Sequence, residues 1–221
     1  MPALALRLPR ICIFNPNTSP IVSRVLLDGA CDAAAGRAEI HVETAPFGAE
    51  ALATVADLDR AREVVCAMAE CETWADAIIV GAFGDPGLCL LRRRSSRPVF
   101  GLGEAGLLAA AQFGRFEILT MGSAMRPDIL ARAEAAGHSE RLIGLAFLDA
   151  GIVELAANPE LWREAILDRA EQAKARGAAC LLLGGAPFSG LGRTFDGVSA
   201  VPVIDGTSAA IKLSIAAVLT R

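Results

Sequence analysis

The chain has 221 residues, 53% of them hydrophobic, so it carries enough apolar material for one large core or two smaller ones and should fold unaided. A formal net charge of −4 and a pI near 5.3 leave no field to gather a polyanion, which excludes nucleic acid as a partner. No run of about 18 apolar residues and no CxxC spacing among the six cysteines exclude a membrane span and a disulfide framework; with only two histidines no metal site is expected, and reduced thiols in a cytoplasmic protein are.

In chain order, "MPALALRLPR" is too short and too broken by Pro2 and Pro9 for a secretory leader. The first strand, "ICIFN" at 11–15, delivers Asn15 into "NPNTS", where Asn17 serves a turn, with a ligand contact as the alternative, and Thr18 or Ser19 caps a helix beginning near Pro20. "EIHVET" at 39–44 is a second strand, followed by an amphipathic helix from Ala49 to Trp74. "AIIVGAF" at 77–83 is a third; beyond it Asp85 and Pro86 have the pattern of a cap and first position of a helix, with Cys89 one turn in as a packing residue. The basic run Arg92 to Arg97 is a solvated helix end and loop, with a phosphate patch as the alternative. After the strand "PVFGL" at 98–102, "LGEAGLLAAAQFG" at 102–114 becomes a crossover helix in which Glu104 is solvated or capping. The strands "FEILTM" (116–121), "LIGLAF" (142–147), "CLLLGG" (180–185) and "VPVID" (201–205) follow, with a helix from Pro159 to Gly177 before the third of them. Asp205 is a capping residue, and "SAAIKLSIAAVLTR" returns to the first half as the last helix.

Continuously apolar strands alternating with helices mean parallel sheets in an α/β protein. The second half also repeats the first: Ala82 and Gly185 are 103 residues apart (185 − 82), Val99 and Val203 are 104 apart (203 − 99), and Asn15 and Thr120 are 105 apart (120 − 15). The expected fold is two pseudo-symmetric α/β/α halves, each on a four-stranded parallel sheet, with residues 1–104 plus 206–221 in one and 105–205 in the other. Ligands bind beyond the carboxyl ends of such strands, so "FNPNTS", "AFGDPG", "TMGS" and "GGAPFSG" should meet around one cleft lined by backbone N–H groups and helix N-termini, a setting for a small carboxylate or an enolate.

These pieces, with "ETAPFGAEAL" and "VPVIDGTSAAIKL", together resemble the aspartate/glutamate/hydantoin racemase superfamily, its hydantoin and allantoin branch above all. The resemblance implies a pseudo-symmetric fold, no cofactor, a small carboxylate or hydantoin-like ligand, a possible homo-oligomer, and two cysteines that pass a proton across the two faces of a carbon next to a carbonyl. The positions matching those cysteines hold Ala82 and Gly185 here, which carry no ionisable atom. Two-thiol exchange is therefore out, and any turnover needs another acid or base. The alternatives are a binding or regulatory protein without turnover, or an engineered Cys→Ala exchange at position 82 of an active racemase or cofactor-free decarboxylase.

Around that pair, ligand contacts are expected from Asn15, Phe47, Phe83, Gly84, Thr120, Met121, Ser123 and Ala186. Asn15 reaches a carboxylate or ureido group, Thr120 and Ser123 donate hydroxyl protons to an oxyanion, Phe47 and Phe83 form walls with Phe188, and the backbone N–H groups of Phe83, Gly84, Gly185 and Ala186 form an anion hole.

Overall fold

Alternation along each strand decides which side chains enter which layer. The computed structural model describes residues 7–220; the first six residues of the stretch read as too broken for a leader, and Arg221, lie outside the described residues. Strands β1 (Arg10–Asn15), β2 (Glu39–Thr44), β3 (Ala77–Val80) and β4 (Val99–Gly101) form a parallel sheet in the order β2-β1-β3-β4. Strands β5 (Phe116–Met121), β6 (Leu142–Leu148), β7 (Cys180–Gly184) and β8 (Val203–Asp205) form a second one in the order β6-β5-β7-β8. The two orders are the same, and so is the register. Phe14 lies opposite Val80 and Leu119 opposite Leu183, while Val80 lies opposite Gly101 and Leu183 opposite Asp205. Those pairs reproduce the offsets read from the sequence.

Ile11 and Ile13 of β1 and Phe116 and Ile118 of β5 share one core with three helices, α1 (Pro20–Ala34), α4 (Leu102–Phe113) and α8 (Gly206–Leu219), which form the layer between the sheets. The alternate residues Cys12 and Phe14 pack outward against Val64, Val65 and Met68 of α2 (Val55–Cys71). In the second half Leu119, Leu181 and Leu183 do the same against Ile166, Ala170 and Ala173 of α7 (Arg163–Ala175). Both faces of each inner strand are thus dry, which is why those strands read as unbroken apolar runs. Helix α8 lies against α1 and α4 in the layer between the sheets and touches strands of both, β3 and β4 of one and β7 and β8 of the other. Its approach to α4 depends on a missing side chain, because a Cβ at Gly206 would collide with the Leu102 carbonyl oxygen.

Several boundaries differ from the sequence expectation. The helix expected from Ala49 starts at Val55, because Thr54 and Asp57 form a reciprocal capping box that fixes its first turn. Residues 49–54 are instead part of a loop whose Ala49 carbonyl accepts from the Thr18 N–H. Pro159–Trp162 is a 3₁₀ turn before α7, and a short helix α6 (Ile152–Ala157) that the sequence reading lacked follows β6. The basic run is an exposed helix end and loop as expected, Arg92 to Arg94 forming the last turn of the helix Leu88–Arg94; within it Arg92 bonds the Val99 carbonyl and Glu104, and Arg97 holds buried Glu72. Among the described residues, no helix is long and apolar enough to cross a membrane.

Candidate functional site

Past Val80 the chain leaves the sheet as Gly81–Gly84; past Gly184 it leaves the other sheet as Gly185–Phe188. These two exits face each other across a cavity of about 80 Å³ whose walls include Ala82, Phe83 and Gly84 from one half and Thr120, Met121, Gly185 and Ala186 from the other. Ala82 and Gly185, chosen from the sequence as the mirrored pair, line that one cavity. Leu52, Leu58, Met125, Ile129 and Ile152 make the rest of it strongly apolar, and the sequence reading named none of them.

The exits are turns, but neither opens at once into the helix whose N-terminus was expected at the cleft. After β7 the chain makes only a 3₁₀ turn at Ala186–Phe188, and after β3 the short helix α3 (Leu88–Arg94) begins beyond Gly87. Donors at the cavity are therefore turn amides: among the described residues the N–H groups of Phe83, Gly84 and Gly185 have no hydrogen-bond partner. Gly185 itself sits at φ 145°, ψ 152°, a backbone state that is essentially glycine's alone.

Asp85 does not cap α3. It stands at φ 44° and turns its carboxylate to the start of α4, accepting from the N–H groups of Gly103 (2.8 Å) and Glu104 (2.7 Å). Gly101, the capping position of α4, has no side chain, and a Cβ there would strike the Asp85 carboxylate. In the second half the equivalent position is Asp205, which caps its own helix through the Ser208 N–H (2.8 Å) and also accepts from Gly190 and Gly192. Each half thus ties a turn beyond its third strand to its inner helix with one buried carboxylate, supplied by the turn in one case and by the fourth strand in the other. Burial pushes the Asp85 carboxyl up to about 7 against the pull of those two N–H groups, and raises Asp205 for the same reason.

The remaining expected contacts divide. Phe83, Gly84, Thr120, Met121 and Ala186 line the cavity; Asn15, Phe47 and Ser123 do not. The Asn15 amide is fully buried and consumed, its Nδ2 donating to Asn17 Oδ1, the Ser19 carbonyl and Ser23 Oγ while its Oδ1 accepts from the Asn17 N–H. Asn17 takes the place expected for it: it lines the cavity with its Oδ1 held by Asn15 and the Ser19 N–H, which leaves Nδ2 to donate. Phe47 is 57% exposed in the loop before α2, and Ser123 is exposed in the 3₁₀ turn after β5. Thr120 reaches the cavity, yet its hydroxyl proton goes to the Gly184 carbonyl, so it has only lone pairs to offer and is no donor to an oxyanion. Phe188 is fully buried in the outer core of the second half. Glu104 points away to Arg92.

No cysteine is among the residues lining the cavity. Cys12 and Cys180 are buried within their strands, where desolvation raises both thiols, Cys180 to about 12. Cys89 is exposed and borders a neighbouring cavity of about 430 Å³, which shares Leu58 and Asp128 with the first. The ionisable side chain on the first cavity's wall is Asp128, in the first turn of α5 (Arg126–Ala135). Nothing in its sequence context had marked it. Among the described residues, no group of three or more His, Cys, Asp or Glu side chains gathers as a metal would require.

A family model described as Asp/Glu/Hydantoin racemase matches residues 11–214. A hydantoin racemase from Paenarthrobacter aurescens is 27% identical over 215 residues, covering 93% of this chain and 89% of the relative. Among solved structures, allantoin racemase from Klebsiella pneumoniae superposes with a TM-score of 0.90 at 28% identity, covering 96% of this chain and 88% of its own. Allantoin racemase from Pseudomonas fluorescens gives a TM-score of 0.88 at 27% identity over 96% and 91% of the two chains.

Proposed function

Because the chain belongs to the Asp/Glu/hydantoin racemase family, we propose that it binds a small carboxylate or hydantoin-type carbonyl compound in the cavity between its halves, with Ala82 and Gly185 standing where the family's two thiols belong. The observation that carries this reading is the convergence of Ala82 and Gly185 on one cavity beside the unpartnered N–H groups of Phe83, Gly84 and Gly185. Relatives named hydantoin and allantoin racemase support a cyclic ureide as the ligand class and an isomerase ancestry.

The physical fit is direct. A hydantoin ring carries a carbonyl next to its stereocentre, so loss of the α-proton places negative charge on an oxygen that three turn amides can hold. Asn17 Nδ2 adds a donor for a ring carbonyl or ureido group. Leu52, Leu58, Met125, Ile129 and Ile152 give an apolar berth for the ring substituent. Exchange through paired thiols is chemically impossible with alanine and glycine at the two posts, so any proton transfer here runs through another group. The glycine-only backbone at 185 favours a second reading, binding without turnover, because that site is shaped to do without a side chain.

Calorimetric titration with hydantoin, 5-substituted hydantoins, allantoin, aspartate and glutamate tests the proposal. At least one cyclic ureide should bind saturably, and Ala82→Leu, which fills the cavity, should abolish binding while leaving the circular dichroism spectrum unchanged. Absence of binding across the panel would refute it.

A further inference from the structure

Resting on that reading, we propose that Asp128 carries the α-proton in this cavity and serves one face of the ligand only, so that a bound hydantoin exchanges this proton with retention of configuration.

Two features lead there. Asp128 is the one ionisable side chain on the cavity wall among the described residues. Its Oδ2 is held by Arg132 Nε at 2.7 Å, from the side of the neighbouring cavity that Arg132 also borders, while Oδ1 has no partner among the described residues. The side chain is 25% exposed, so it is reachable from the cavity and from water. The opposite face is the second feature. Helix α1 follows β1 as α5 follows β5, and Ser23 is the polar side chain in the first turn of α1. Ser23 is buried, bonded to Asn15 Nδ2 and to Thr44 Oγ1, and is not among the residues lining the cavity. The helix after the first strand of each half therefore brings a carboxylate to the cavity in one half and only a spent hydroxyl in the other.

The step balances within the site. Asp128 Oδ1 forms an O–H bond with the α-proton, the C–H electron pair moves into the adjacent carbonyl, and the resulting enolate oxygen rests on the turn amides. Collapse of the enolate takes a proton back onto the same face, or a deuteron once the carboxyl has exchanged with D₂O. Inversion would need a second acid on the far face, and among the described residues no other ionisable side chain lines the cavity.

The experiment incubates the protein in D₂O with each hand of 5-methylhydantoin and of 5-benzylhydantoin. Loss of the C5–H resonance is followed by NMR, configuration by chiral chromatography, and binding by calorimetry. One hand should exchange above the protein-free background much faster than it loses configuration. Asp128→Asn should lower that exchange on the order of 10²–10⁴-fold, the usual contribution of a positioned general base, while the ligand still binds. Exchange in Asp128→Asn equal to that of the wild type, racemisation as fast as exchange, or binding with no exchange would each overturn the proposal while leaving the binding reading intact. Failure of every ligand to bind would overturn both.

Discussion

Placing thiols at positions 82 and 185 should not be symmetrical. At Ala82 a Cβ is already present and the backbone has ordinary dihedral angles, so Ala82→Cys adds only a sulfur that can project into the cavity. At Gly185 the φ of 145° with ψ 152° lies where L side chains rarely go, and a Cβ built there would stand 3.0 Å from Met121 Cε. The methionine end can move; the backbone cost cannot be relieved without reshaping the turn, and such states cost about 1–3 kcal/mol. Gly185→Cys should therefore lower stability by that amount in urea unfolding, and Tm by about 2–4 °C per kcal/mol for a chain of this size. Gly185→Ala should lose nearly as much, since the penalty belongs to the Cβ and not to the thiol, whereas Ala82→Cys should stay within about 1.5 kcal/mol of the parent. Equal stabilities for Ala82→Cys and Gly185→Cys would refute the strain assigned to position 185.

Other consequences are independent of the ligand. The Asp85 carboxyl is raised from 3.8 to about 7, so between those pH values the folded chain holds a proton that the unfolded chain has released. Its contribution is fully present below about pH 4 and falls by about 4 kcal/mol as pH rises to 7, at 1.36 kcal/mol per pH unit. The stability of the wild type relative to Asp85→Asn, measured by urea unfolding, should fall over that window and level off above it, with Asp205 acting the same way in both proteins. Glu117 is fully buried between Arg169 and Arg176. Glu117→Gln should cost about 3 kcal/mol, the low end for a broken buried pair because Arg176 is 44% exposed. Gly29 packs face to face with the turn beyond Gly185: a Cβ would lie 2.5 Å from Ser189 C and 2.7 Å from Gly190 N, so Gly29→Ala should destabilise by about 1–3 kcal/mol and weaken hydantoin binding in the same titration.

Strand periodicity carried most of the fold into the sequence, because strands buried on both faces leave runs such as "AIIV" and "CLLL", and because a duplicated half repeats its register within one or two residues. The destination of side chains at strand ends was less legible. Asn15 was expected to meet ligand, yet the alternation that sends Ile11 and Ile13 inward sends Asn15 the same way, toward Ser23 of α1. That parity was available in the sequence; the serine that receives it was not, since it comes from a different element. Asp85 was read as a local cap on the strength of the following proline, whereas its partners are 18 and 19 residues away on α4. Phe47 looked like a wall because it is aromatic, but the capping box at Thr54 starts α2 late and leaves the preceding loop outside. Asp128 and Glu117 carried no signal at all, because what sets them apart is the arrangement of distant helices around them and not the residues beside them.

The central claim is that a negatively polarised ring sits between the two exits at Ala82 and Gly185. It is tested most directly by titrating the ¹⁵N-labelled protein with a 5-substituted hydantoin and following amide shifts. The N–H resonances of Phe83, Gly84 and Gly185 should move together and saturate with one dissociation constant. Shifts confined to other surfaces, or movement of Phe83 and Gly84 while Gly185 stays still, would contradict it.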